Sequence, residues 1–457
     1  MAREILLRNA RLIDCIANQP QERVSILIRD DRIAEVGPNA GTNSGDVEVV
    51  DCEGKTVMPG LIDTHVHSTL VDEIDLSLFL AAGVTTARDV GGRLDKVVAL
   101  KKRVNEGNVL GPRLYVCGPL LDGVSNSFKP KGGLGEMLDN VPSPEAAPGK
   151  VQEFLDAGVD GIKCYFTMEP DTVKAIIDSV DKRVPVTGHL GATTALEAVQ
   201  LGIDGLEHMW ISPYQDICSL EMRLGPDASM MHPSFWSQTI AGWEQADLTG
   251  PGSQALFGAM VENQVKMGTT LDLLWAANVG LEAALADTDR AYIPKAALGR
   301  QKAMAKGVKA GEEWDIHPGF FLPGVGKKAL EKQQEAVRRL HDAGGVIVGG
   351  TDCCALSYPP PGFALLREVE LLADAIGHMD ALKAVTASAS RALRAEDELG
   401  TIAEGSYADV LVLGADPSQD VRNLRSVERV YRGGVAHDPK SLLAAYPSRD
   451  MSDLAIA

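Results

Sequence analysis

Apolar and polar residues alternate from Glu4 to Asp14, again from Val24 to Ile28, and again from Arg32 to Val36. A period of two marks strands with one buried face. Val47–Val50 and Thr56–Met58 extend the set, with turns at Asp30-Asp31 and Glu53-Gly54 between the runs. Short strands of this kind need a partner layer to cover their apolar face. A matching pattern lies at the far end of the chain. Residues 400–413 read there as a turn and two strands, and Val427–Val435 as a hairpin around Arg432-Gly433-Gly434.

Between these ends the period changes. Helical spacing covers Asp75–Ala82, a stretch ending at Glu106, Gln152–Ala157, Pro170–Val180, Thr193–Leu201, Glu331–Ala343, Phe363–Ile376 and Ala381–Leu393. Short apolar runs separate the helices: one starting at Leu61, then Val84–Asp89, Arg113–Cys117, Gly161–Lys163, Pro185–His189, Gly205–His208, Thr269–Trp275 and Val346–Asp352. Strands alternating with helices predict parallel strands and an α/β class. Pro59-Gly60 is the boundary with the N-terminal strands. Two stretches break the repeat. Pro119–Pro148 is a long Gly- and Pro-rich loop, expected as a lid or binding loop. The interval from His208 to Asp352 exceeds the roughly 60 to 90 residues that two βα units need. It holds all five tryptophans (210, 236, 243, 275, 314), so an insertion at about 210–320 is expected. That insertion would be a segment with its own small core, an oligomer interface, or an aromatic cap over the barrel mouth selecting bulky apolar substrates.

Length and composition narrow the class. At 457 residues, 45% hydrophobic and 23% charged, the chain suits one large domain with a smaller one beside it. A net charge of −19 argues against nucleic acid and anionic membrane surfaces as partners. No apolar run approaches a membrane span, and Met1-Ala2-Arg3-Glu4 leads directly into a strand. Seven unpatterned cysteines fit a reducing cytoplasm. A small-molecule substrate and self-association are the partners this leaves.

The candidate chemistry sits at the ends of the apolar runs. Val57–Ser68 carries His65 and His67, two imidazoles at i and i+2 that share one face of a strand and make half of a metal site. Lys163, His189, His208 and Asp352 end four later runs. In an eight-stranded α/β barrel such positions meet at one mouth. Cys353-Cys354 beside Asp352 is no zinc pair, because adjacent side chains on an extended strand diverge.

In these residues the chain resembles the metal-dependent amidohydrolase superfamily, and is most similar to its imidazolonepropionase-like and prolidase-like branch with a binuclear centre. The resemblance covers nearly the whole chain. It implies a (β/α)8 TIM-like barrel over 59–397, a small β-sandwich built from 1–58 and 398–440, and a tail at 441–457. It also implies two divalent metal ions, most simply Zn2+ with Co2+, Mn2+ or Fe2+ as alternatives. His65, His67 and Asp352 would hold one ion and His189 and His208 the other. Lys163 would span both as a carbamate formed with carbon dioxide, since an ammonium offers no lone pair. Asp352 would serve as general base and then acid for a metal-bridging hydroxide.

The reaction implied is hydrolysis of a C–N bond in an amide, carbamate or urea, with a bulky apolar or aromatic N-acyl substrate favoured by the tryptophans. An Xaa-Pro dipeptidase, a lactonase or phosphotriesterase, and a mononuclear deaminase or cyclic-amide hydrolase are the alternatives. Substrate contacts are expected from Arg88, Tyr165, Tyr214, His232 and His317. Arg88 would either grip a carboxylate or pair with Asp89.

Overall fold

The computed structural model describes residues 3–42, 47–70, 74–123, 137–224, 233–279, 287–293, 326–353 and 360–446. His232, Trp314, His317 and Cys354 lie outside these residues.

Both ends of the chain build one mixed sheet of eight strands. Glu4–Leu12 pairs antiparallel with Gln21–Arg29 and parallel with Glu48–Asp51 and Thr56–Pro59. The C-terminal strand Val410–Leu413 joins antiparallel to Thr56–Pro59, so the first and last parts of the chain share a ladder. The sheet is curled so that Ile33 meets residues 405 and 406 through backbone hydrogen bonds. The curl encloses a core of Ile5, Leu7, Leu12, Ile26, Ile28, Val57, Val410 and Tyr431. Alternation along the strands put these side chains on one face, which is the physical basis of the sequence pattern. Arg32 from this sheet and Arg113 from the interior strands stack over Tyr407 at 3.6 and 3.7 Å, tying the sheet to the body.

The body holds parallel strands, most of them separated by helices and, apart from Leu138–Asn140, lying in chain order. Leu61–Val66, Val84–Asp89 and Arg113–Val116 form a three-stranded sheet. Leu138–Asn140, Leu120–Asp122, Ile162–Cys164, Val186–Gly188, Gly205–Glu207, Lys266–Gly268 and Val346–Val348 form a seven-stranded sheet in that order, every pair parallel. The two sheets meet where Val66 bridges Cys353 and the Asp352 N–H donates to the His65 carbonyl at 2.8 Å. One large hydrophobic core runs between strands and helices. Among the described residues, no helix is long and apolar enough to cross a membrane.

Three local readings differ from expectation. The strand assigned to Thr269–Trp275 is Lys266–Gly268, and Asp272–Val279 is helical. Thr270 adopts φ 48°, which ends the strand before the apolar residues that suggested it. The helix expected over Ala381–Leu393 is two, His378–Ala384 and Ala387–Ala392, parted at Thr386 with φ −138° and ψ −98°. The Pro119–Pro148 stretch contains the strands Leu120–Asp122 and Leu138–Asn140 and the short helix Pro144–Ala146.

Candidate metal centre

Parallel strands leave the ends of successive βα units on one side of the sheet, and that is where the candidate ligands gather. His65 lies in Leu61–Val66 and His67 just beyond it, Lys163 lies in Ile162–Cys164, and His189 and His208 each follow a strand directly. All are buried, as is Asp352. Ring centroids stand 4.4 Å apart for His65 and His208, 4.5 Å for His189 and His208, and 5.6 Å for His65 and His67. Asp352 Oδ1 is 2.9 Å from His67 Nε2 and 3.4 Å from His65 Nε2. His65, His67 and Asp352 offer one ligand atom each, all within 4.8 Å of one another, and could hold a metal ion.

The surroundings of His65, His67 and His208 engage Nδ1 of each ring and turn Nε2 toward the centre. His67 Nδ1 donates to the Gly91 carbonyl at 2.8 Å, which leaves Nε2 as the inward lone pair. A side chain at Gly91 would bring a Cβ 2.8 Å from the His67 ring, so only glycine permits this approach. His65 Nδ1 donates to Glu207 Oε2 at 2.9 Å, and His208 Nδ1 lies 2.9 Å from the Thr270 hydroxyl. Asp63 accepts the Thr351 hydroxyl at 2.7 Å and the His65 N–H at 3.1 Å, clamping the first and last interior strands together. His208 and Asp352 both have positive φ, 63° and 57°. Such backbone is uncommon outside glycine and collects at functional sites.

Electrostatics follow from burial. Burial lowers the His189 and His208 imidazoles well below their ordinary range, with Lys163 adding to it for His189 and His65 for His208; both rings are neutral lone-pair donors. Burial alone would raise the Asp352 carboxyl, but the His65 and His67 rings beside it outweigh burial and hold the group well below its ordinary range, ionised. Burial brings Lys163 down to about 8. Three atoms here, Lys163 Nζ, His189 Nε2 and Asp352 Oδ1, have no hydrogen-bond partner among the described residues. A buried polar group left so costs about 1–3 kcal/mol. The neutral imidazoles, the ionised carboxylate and these two unsatisfied nitrogens fit a cation-binding centre.

Comparison with known proteins agrees with this geometry: residues 56–436 match the Amidohydrolase family model. The chain belongs to the amidohydrolase family. It is similar to the imidazolonepropionase of Methylobacterium sp. (strain 4-46), with 24% identity over 443 residues, 94% of this chain and 96% of that protein. Among solved structures, a Xaa-Pro dipeptidase with bound methionine superposes with a TM-score of 0.66 at 20% identity, covering 95% of this chain and 100% of the other. Phenylurea hydrolase B superposes at 0.68 and 18% identity, covering 97% and 99%. These likenesses imply a TIM-like barrel. The chain is therefore a hydrolase of the amidohydrolase family, similar along nearly its whole length to imidazolonepropionase.

Two expected substrate contacts of this amidohydrolase are placed elsewhere. Arg88 is buried among the strands, where Nη2 donates to Glu207 Oε1 at 2.5 Å and Nε to the Thr64 carbonyl at 2.7 Å. It neither faces the mouth nor pairs with Asp89, whose carboxylate takes the Ser68 N–H and hydroxyl and the Gly91 N–H. Tyr214 starts the short helix Tyr214–Ile217 and is fully buried, its hydroxyl donating to the carbonyls of Met222 and Gln238. It packs the insertion rather than the site. Tyr165 does lie against the centre, edge-on to His189 at 4.9 Å. Phe166 and Trp210 flank His189 at 6.1 and 5.6 Å, and Phe235 joins them at 5.9 and 6.3 Å. Tyr165 and Trp210 stand out in the sequence; Phe166, Phe235 and Glu207 do not.

Proposed function

We propose that this amidohydrolase is a binuclear metal-dependent enzyme that hydrolyses the C–N bond of an amide, carbamate or urea carrying a bulky apolar or aromatic acyl group. The observation that supports this best is the buried donor set with its unsatisfied nitrogens at Lys163 and His189. His65, His67 and Asp352 would hold one ion and His189 and His208 the other. Lys163, its amine joined to carbon dioxide with loss of a proton, would supply the shared anionic oxygen. Ions bound there would polarise a carbonyl and lower the pKa of water to about 7.

The chain's own groups account for the rest. Asp352, ionised and beside the His65 and His67 rings, takes a proton at its carboxylate from the attacking water and returns it to the leaving nitrogen. The Glu207 carboxylate, the Gly91 carbonyl and the Thr270 hydroxyl hold three imidazoles in orientation. Tyr165, Phe166, Trp210 and Phe235 form the aromatic side against which the acyl group lies, and they exclude water from it. For the architecture we propose a closed barrel over 59–397, a small β unit from 1–58 and 398–440, and a tail from 441–457. The protein would self-associate and act on small molecules in the cytoplasm, without nucleic acid or membrane.

One observation favours a mononuclear deaminase or cyclic-amide hydrolase as second reading: within 4.8 Å only His65, His67 and Asp352 converge among the described residues. A hydrolysis screen decides between the readings. It should contain N-acyl amino acids, Xaa-Pro dipeptides, anilides, carbamates, arylureas, cyclic amides, lactones and phosphotriesters. Metal-dependent turnover of one open-chain amide, carbamate or urea class is expected. Turnover confined to cyclic amides or amines supports the second reading, and turnover confined to esters refutes both.

A further inference from the structure

The interior of a parallel barrel is ordinarily filled by branched apolar side chains in layers. Here one layer is charged. Arg88, Lys163 and Glu207 are 3%, 1% and 1% exposed, two cations around one anion. Their contacts are unequal. Glu207 Oε2 accepts from His65 Nδ1 at 2.9 Å, Oε1 accepts from Arg88 at 2.5 Å, and Lys163 Nζ stands 3.9 Å from Oε1 without a hydrogen bond. The carboxylate is confined from below as well, since a Cβ on Gly268 would stand 2.7 Å from Oε2.

From this we infer that Glu207 and Arg88 are positioning residues: Glu207 orients His65, and Arg88 occupies the carboxylate oxygen that would otherwise capture Lys163. The inference rests on the metal centre proposed above. An imidazole whose Nδ1–H is held by a carboxylate keeps Nε2 as its free lone pair, and such outer partners tune ligand affinity. Arginine suits the second role because its guanidinium stays charged and its planar fork pairs in fixed geometry. With Arg88 anchored to the Thr64 carbonyl at 2.7 Å, Glu207 Oε1 is already engaged and Lys163 stays available to the centre. Without the guanidinium, Lys163 is the nearest remaining donor to that oxygen. Ammonium or amine, it would swing into a hydrogen bond and leave the centre.

The test replaces Arg88 by Met and places Glu, Gln or Met at position 207 in that background. Zn2+ affinity of the apoprotein is measured by competition with a chromogenic chelator, together with the visible spectrum of Co2+-loaded protein. Arg88→Met with Glu207→Gln removes both buried charges yet keeps an oxygen for His65, so it is expected to bind Zn2+ within a few-fold of the unmodified protein. Arg88→Met with Glu207→Met removes the His65 partner and is expected to bind about 10- to 100-fold more weakly, with an altered Co2+ band. Arg88→Met alone is expected to weaken binding similarly, because Lys163 is drawn to the exposed carboxylate. Binding by Arg88→Met equal to that of the unmodified protein overturns the role of Arg88. If that variant does not fold, the Gln and Met double variants still decide the role of Glu207, because equal affinities overturn it. An unmodified protein that binds no Zn2+ refutes the metal centre itself, a different outcome from either.

Discussion

Glu368 lies on the helix Phe363–Ile376, fully buried, where it accepts the Thr269 hydroxyl and the Asp272 N–H, the latter at 2.8 Å. Thr270, next in the chain, reaches the His208 ring, so this carboxyl supports the turn that holds a candidate ligand. Burial drives Glu368 from its ordinary 4.5 to about 8 against those hydrogen bonds, with the Asp272 carboxylate pushing the same way. The native state therefore keeps a proton that the unfolded chain has released between those two values. Stability contributed by the group is complete below about 4.5 and falls as pH rises, at about 1.4 kcal/mol per pH unit. The fall ends above about 8, at a total of about 5 kcal/mol. Glu368→Gln removes the ionisation and keeps the shape, since the Thr269 hydroxyl can turn to accept from the amide. Urea unfolding of both proteins from pH 4.5 to 8.5, followed by tryptophan fluorescence, reads the difference. The metal ligands titrate alike in both and cancel. The variant is expected to gain on the unmodified protein steadily through this window. Parallel profiles from pH 5 to 8 would show that Glu368 does not carry its proton in the fold.

Three further substitutions probe the site. Asp352→Asn is expected to lose at least about a hundredfold in kcat through loss of the proton carrier, while metal analysis still finds bound ions; undiminished turnover would move that carrier elsewhere. Tyr214→Phe breaks the hydroxyl's bonds to the Met222 and Gln238 carbonyls and is expected to cost about 1–2 kcal/mol in unfolding free energy with KM unchanged. A raised KM at unchanged stability would return Tyr214 to the substrate. Trp210→Leu thins the aromatic wall beside His189 and His208. It is expected to lower the ratio of kcat/KM for an aryl-acyl substrate over its acetyl counterpart about tenfold, and an unchanged ratio counts against the wall.

Most of the interior parallel strands are legible because each is a short apolar run ending in a polar residue, and the six candidate ligands stand at or just beyond those ends. Period and spacing do not depend on tertiary context, so they survive translation into structure. Failures came where backbone conformation overrode pattern. Glu207 stands next to His208, where adjacent residues of an extended strand would face opposite ways. His208 has left the extended region, at φ 63°, so alternation does not hold there and both side chains serve the centre. Thr270 likewise turns the chain before the apolar run that had suggested a seventh strand. Arg88 is expected to meet substrate from its place at the second strand, but the structure buries it. Its partner is remote in sequence, and no local signal points to Glu207. Tyr214 was placed at the site by its distance from His208 along the chain. The packing of the insertion against it, with Gly242 beside the ring, emerges only in three dimensions.

The central claim is that Lys163 joins five other side chains in holding two ions. Metal content per chain, by plasma mass spectrometry on protein loaded with Zn2+ in bicarbonate buffer and then desalted, tests it directly when Lys163→Ala is measured beside the unmodified protein. Two ions per chain are expected for the unmodified protein. One or none is expected for the variant, with activity partly restored by short carboxylic acids. A single ion in both proteins, with turnover undiminished in the variant, would contradict the account and leave a mononuclear centre at His65, His67 and Asp352.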